Sequence, residues 1–249
     1  MTETAPGGTA PGSTLGAPAS AEVAGGIVGR LVALDTCAVS DALDRLGLPS
    51  GVAGIVALSV RRRIAGRAIT VKLGPADDRG PASRHLCTAA IEAGGPGTVV
   101  VVEHPGGAGA GWGGILALSA VVRGIEGVVV DGPCRDLDEA VAVGFPVYGR
   151  SPTPVTARGR LVELDWNVPI VFGGLVVSPG DLVIADGSGV AFVGAGRAEE
   201  VVEAATSIAA REAEMAAAVR RGEPPSSAMG ASYERLLQRA PAEDARGEP

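Results

Sequence analysis

What the sequence lacks narrows its chemistry first. It has no surplus of positive charge: 21 lysines and arginines stand against 28 acidic residues, a formal charge of −7. No basic footprint exists for a nucleic-acid backbone, so nucleic acid is not an expected ligand. Cysteine is scarce, with Cys37, Cys87 and Cys134 far apart and no C-x-x-C spacing among them. This argues against a disulfide framework or a thiolate zinc site and fits a reducing cytoplasm. No window approaches the roughly 18 unbroken apolar residues of a membrane helix, and the opening "MTETAPGGTAPGSTLGAPAS" has no basic segment ahead of an apolar core. Neither membrane insertion nor export is expected. Histidine occurs twice, at 85 and 104, and no serine, cysteine or histidine triad is readable around either.

What is present suffices for one core. The chain has 249 residues, 46% of them hydrophobic, and the length favours one domain or two small ones, one compact domain being the simpler reading. Residues 1–22 are Gly, Pro, Ala, Ser and Thr and read as a disordered arm. The domain is expected over 23–221, and 222–249 as a mostly flexible tail in which "YERLLQRA" forms at most one short helix.

Within the domain the hydrophobic period alternates. "DTCAVSDALDRLG" carries apolar residues at helical spacing, with Asp35 or Thr36 as N-cap and Gly47 as stop. "IAGRAITVKLG" and "TVVVVE" read as strands, "ASRHLCTAAIEAG" as a helix with His85 on its face, and Trp112–Val122 as another helix. "GVVV", a short helix after Arg135 and "FPVYG" continue a βαβα rhythm that predicts a parallel layer. Four strands, "RLVELDW", "PIVFGG", "DLVIAD" and "GVAFVG", and a helix over Ala198–Arg220 complete a mixed α/β domain of helices over layered sheets.

The chemistry concentrates in "GWGGILALSAVVRGIEGVVVDGPCRD", residues 111–136. A buried parallel strand delivers its C-terminal end to a crevice where ligands usually sit, and here the charge arrives only after the valines. Arg135 offers a fork for a carboxylate, and Asp136 offers the hard oxygen that magnesium or manganese prefers. Gly113 and Gly114 leave amides open for an anion at a helix start. Each feature has a plainer reading. Asp136 with Glu139 makes a D-x-x-E capping box, Arg135 could pair with Asp131 or Asp138 on the surface, and the glycines could serve close packing. Cys134 beside Arg135 raises the prospect of an activated thiolate, but no base is close in sequence.

The blocks together resemble the family of 4-hydroxy-4-methyl-2-oxoglutarate aldolases and the related regulators of ribonuclease E activity. The resemblance rests on Gly113-Gly114-Ile115-Leu116 followed 22 residues after Gly113 by Arg135, on "LDTCAVSDALDRLG", on "GPADD" at 74–78 and on "SPGDLVIADGSGVAFV" at 178–193. It runs over roughly residues 27–220. It implies a layered β/β/α swivelling-type fold, assembled as a homotrimer or hexamer with sites between subunits. By the same resemblance, Gly113, Gly114, Ile115 and Leu116 form the substrate-binding turn, Arg135 binds substrate, and Asp136 holds a divalent ion, Mg2+ or Mn2+. A glutamate from a neighbouring subunit completes the catalytic set of Arg135, Asp136 and Glu212, with Glu214 as the alternative and a solvated helix face as the plainer reading of both. The implied activity is that of a class II lyase cleaving a 4-hydroxy-2-oxo acid to pyruvate, with oxaloacetate decarboxylation through the same enolate. A non-catalytic, protein-binding regulator and a lyase with another substrate remain open. Pro133 and Cys134 depart from the family's usual D-G-A-V-R-D.

Overall fold

A single long strand shows how this sequence divides its apolar residues between layers. In chain order, helices α1 (Ile27–Val32) and α2 (Thr36–Arg45) precede β1 (Val56–Ala57) and β2 (Ile64–Pro75); α3 (Thr88–Ala93), β3 (Thr98–Glu103), α4 (Gly114–Arg123), β4 (Gly127–Val130), β5 (Pro133–Cys134), α5 (Leu137–Ala142) and β6 (Val147–Gly149) follow. Next come β7 (Ser151–Pro152), β8 (Leu161–Trp166), β9 (Ile170–Phe172), β10 (Leu175–Val177), β11 (Leu182–Asp186) and β12 (Gly189–Val193). Helices α6 (Ala198–Arg220) and α7 (Pro225–Ala228) come last. Ile64 and Ala68 of β2 point into one cluster, while Val71 and Leu73 point into another. Strands β3 and β4 split the same way, with Val99, Val101 and Val129 on one side and Val100, Val102, Val128 and Val130 on the other. Both faces of these valine runs are therefore buried, as a parallel strand requires.

The computed structural model describes residues 26–76 and 84–230. The expected arm, Asp77 and Asp78 of "GPADD" and the segment "YERLLQRA" lie outside the described residues.

Most strands join in one mixed sheet ordered β1-β6-β4-β3-β2-β11-β12, with β8 beside β2, while β9–β10 and β5–β7 form two-stranded sheets of their own. Strands β2, β3, β4 and β6 run parallel, as the βαβα rhythm predicts. The N-terminal half of β2 pairs with β11 and its C-terminal half with β8, both antiparallel, with a register shift at Lys72/Leu73. Three hydrophobic clusters stack across the molecule. Helices α3, α4 and α5 cover one face of the parallel strands; the opposite face packs against the inner sides of β9–β10 and β11–β12; the outer side of β11–β12 carries α1, α2 and α6. The layered β/β/α expectation holds, with a helical layer on the far side as well.

Most local expectations hold for the reasons given. The Asp35 carboxylate accepts the Ala38 amide at 2.8 Å and caps α2, and Gly47 at φ 66° ends it. Helix α6 spans the anticipated residues. One helix is shorter than its pattern: α3 starts at Thr88, because Cys87 adopts a left-handed backbone (φ 63°) that no helix continues through. Its amide is held by the Glu163 carboxylate at 2.6 Å. His85 consequently sits in a turn and not on a helix face. Past Gly222, the tail expected to be flexible contains the short α7, whose Ala228 is buried.

Candidate active site

All four parallel strands feed their C-terminal ends toward one edge, where segments 84–86, 110–116, 135–136 and 156–158 surround a cavity of about 200 Å³. Two of these segments are laced together by backbone. The Gly111 amide donates to the Pro133 carbonyl at 2.9 Å, the Arg135 amide donates to the Trp112 carbonyl at 3.0 Å, and Trp112 bridges Cys134 in parallel register. This short ladder brings Gly113 and Gly114 beside Asp136. Asp136 Oδ2 accepts the Gly114 amide at 3.1 Å, and Oδ1 accepts Arg135 Nε at 3.0 Å.

That geometry speaks against the capping reading of Asp136. Its backbone is left-handed (φ 54°, ψ 43°), and among the described residues its side chain bonds none of the amides of α5, the helix it precedes. It reaches across to the first amide of α4 instead. A non-glycine residue held in this region costs on the order of 1 kcal/mol or more, and such strain clusters at functional sites. The glycines are also explained by close approach. A Cβ at Gly113 would lie 2.9 Å from Asp136 Oδ2, and one at Gly114 would lie 3.0 Å from the Cβ of Glu139 and 3.1 Å from that of Asp136. The close packing that needs glycine at 113 and 114 is also what lets the Gly114 amide reach the Asp136 carboxylate.

The remaining anticipated residues distribute as follows. Ile115 lines the cavity and is 77% exposed, while Leu116 is buried in the core. Asp131 does not pair with Arg135; it accepts Arg150 Nε at 2.6 Å and the Gly173 amide at 2.7 Å. Cys134 is buried, and burial pushes its thiol up, so the neighbouring cation does not make it a thiolate. Glu212 is elsewhere. It lines a separate cavity with Asp35, Arg61, Arg63 and Asp186, on the α6 side of the sheets, and Glu214 lines a third with Arg211 and Met215. Within one chain neither glutamate joins Arg135 and Asp136.

The structure adds residues that sequence reasoning did not place. His85 and Arg158 line the same cavity as Arg135. Arg158 had no local signal, since its wall arrives from a loop after β7. His104 is a buried scaffold residue: Nε2 donates to the Gly109 carbonyl at 2.7 Å, and Nδ1 accepts the Gly106 amide at 3.0 Å. Both ring nitrogens are engaged by a neutral imidazole. Burial lowers its pKa, partly opposed by the Gly109 carbonyl and by Asp131. The folded state therefore binds this proton less readily than the unfolded chain. The stabilisation is complete above the unfolded imidazole range, about pH 6.5, and is lost as pH falls through the lower folded value. Urea unfolding between pH 7.5 and pH 5 is expected to show stability declining more steeply in the parent than in His104→Gln. Equal slopes would remove His104 as the cause.

The donor set also tests a metal. Among the described residues no group of three His, Cys, Asp or Glu side chains gathers in a ligand cluster, and Asp136 is the carboxylate lining this cavity that would hold a metal. Each of its oxygens already accepts one hydrogen bond and keeps a second acceptor position. One carboxylate with a shell of water and substrate oxygens fits Mg2+ or Mn2+; it does not fit zinc, which takes three or four protein ligands.

The chain is thus an α/β protein whose parallel strands end beside an arginine–aspartate pair and a glycine-lined helix start. The family model for Aldolase/RraA, RraA-like, matches residues 36–192, and the chain belongs to that family. Protein DlpA of Legionella pneumophila is 28% identical over 194 residues, 78% of this chain; the match spans 31% of DlpA's own length. A Halalkalibacterium halodurans protein named "Putative 4-hydroxy-4-methyl-2-oxoglutarate aldolase" is 34% identical over 69% of this chain and 78% of its own. The solved structure of Streptomyces coelicolor RraAS2, described as an unusual member of the RNase ES inhibitor RraA protein family, is 30% identical with a TM-score of 0.66, over 74% of this chain and 91% of that one. Among the described residues no helix is long and apolar enough to cross a membrane.

Proposed function

We propose that this protein is a divalent-metal-dependent lyase that cleaves a 4-hydroxy-2-oxo acid to pyruvate and a carbonyl product, and that it also decarboxylates oxaloacetate. The observation that carries the reading is the convergence of Arg135, Asp136 and the Gly114 amide on one cavity. When bound at Asp136, Mg2+ or Mn2+ supplies a Lewis acid that draws charge from the 2-oxo group. The chain's own residues do the rest. Nε of Arg135 is engaged by Asp136, which orients the guanidinium so that its Nη pair meets the substrate carboxylate. The fixed positive charge of Arg135 stabilises the negative charge that grows as the carbon–carbon bond breaks, more than it stabilises the ground state. The Gly113–Leu116 turn walls the cavity at the dipole end of α4.

Assembly as a homotrimer or hexamer belongs to the same reading, because only a second copy brings Glu212 or Glu214 to this cavity. A second reading, a protein-binding regulator, is favoured by the likeness to RraAS2 and by the apolar face of α4, where Ile115 and Val122 are 77% and 73% exposed. Pyruvate release over a panel of 4-hydroxy-2-oxo acids and oxaloacetate, with and without chelator, separates the two. Turnover is expected to vanish with chelator and return with Mg2+ or Mn2+. Full activity in metal-stripped protein removes the ion from the mechanism, and no pyruvate from any substrate leaves the regulator.

A further inference from the structure

Retro-aldol cleavage needs a group that removes the proton of the C4 hydroxyl, and the cavity contains one. We propose that His85 is that catalytic base, an inference that rests on the lyase reading above. Its Nδ1 lies 3.1 Å from the Leu86 carbonyl oxygen, and a carbonyl can only accept, so Nδ1 carries the hydrogen. In the neutral ring Nε2 is then the basic nitrogen. Among the described residues of one chain, the other polar side chains that line this cavity do not compete for the role, the Trp112 indole being a donor only. Arg135 and Arg158 are permanently protonated, Thr156 is a hydroxyl, and Asp136 is committed to Arg135, to Gly114 and, in the lyase reading, to the ion.

The turn that presents His85 is held at several points. Its carbonyl accepts the Thr88 hydroxyl at 2.8 Å, and two residues on, the left-handed Cys87 has its amide on Glu163. A base fixed in this way pays little ordering entropy at the moment of reaction. The step balances without a further reactant. Nε2 takes the hydroxyl proton, the O–H pair becomes the new carbonyl bond at C4, and the C3–C4 pair passes to the pyruvate enolate. The enolate carbon then takes a proton from water, and His85 returns its own to solvent.

Oxaloacetate decarboxylation passes through the same enolate with no hydroxyl to deprotonate, and the two reactions together test the assignment. His85→Gln is expected to lower kcat/KM for retro-aldol cleavage at least about a hundredfold more than it lowers kcat/KM for decarboxylation, the low end of what a general base supplies. In His85→Ala, added imidazole is expected to restore cleavage in proportion to its concentration. Equal losses in both reactions without imidazole rescue would make His85 a wall of the cavity and overturn the proposal, as would undiminished cleavage. A parent protein inactive towards both substrates overturns the lyase reading and this inference with it. A parent active in both, with an unselective His85 variant, overturns only the inference.

Discussion

Asp136→Asn is expected to melt at the parent's temperature and to lose at least about a hundredfold in kcat/KM, equivalent to about 2.7 kcal/mol of transition-state stabilisation. The two halves of this result have separate causes. Asparagine tolerates the left-handed backbone that Asp136 adopts, and its side-chain oxygen can still accept the Gly114 amide, so the local fold has little to lose. The negative charge is what disappears, and with it both the partner that orients Arg135 and the one carboxylate that lines the cavity among the described residues of one chain. Arg135→Lys is expected to be costly for a related reason: an ammonium is a point charge and cannot reproduce the bidentate fork. Steady-state kinetics beside thermal melting decides the matter. Wild-type values of both for Asp136→Asn would move the reaction elsewhere in the molecule.

Gly132→Ala is expected to be the converse case, a loss of stability by about 3 kcal/mol read from urea unfolding, at the upper end of the range for overpacking a close-packed interior. Gly132 directly follows Asp131, the residue after β4. A Cβ there would lie 2.7 Å from Cδ2 and 2.8 Å from Cβ of His104, and closer still to Cγ of the ring. That ring cannot yield, because both nitrogens are tied to the 106–109 segment and the residue is buried. A fully stable Gly132→Ala protein would show that the segment swings away at little cost.

How far the sequence reached depended on the range of the cause. Period-two and period-3.6 patterns, and caps such as Asp35, are local, and they placed β2, β3, α2 and α6 where the structure has them. The pairing of Gly113–Gly114 with Arg135–Asp136 was readable because a strand and a helix fix their separation, and the resemblance drew on the same spacing. His85 was misplaced because the helical pattern around it is real while the event that ends it is not local: Glu163, 76 residues from Cys87, holds that amide in a turn. Arg158 lacked even a misleading pattern. Glu212 illustrates the opposite limit, a residue suggested by resemblance whose helix packs on the far side of the sheets, so that its part in this chemistry depends on a second copy.

The backbone ladder between Gly111–Trp112 and Pro133–Arg135 explains why this site tolerates an unusual pair of residues in its centre. Pro133 has no amide to donate, but the ladder asks only for its carbonyl, which accepts the Gly111 hydrogen. Cys134 lends its carbonyl to the Thr153 amide at 2.9 Å and turns its side chain into the core. Register, and not the chemistry of residues 133 and 134, sets the distance from the glycine turn to the aspartate. Mutational drift between the two halves of the motif can therefore run through a wide vocabulary of side chains while the spacing of the glycine turn and the aspartate stays constant.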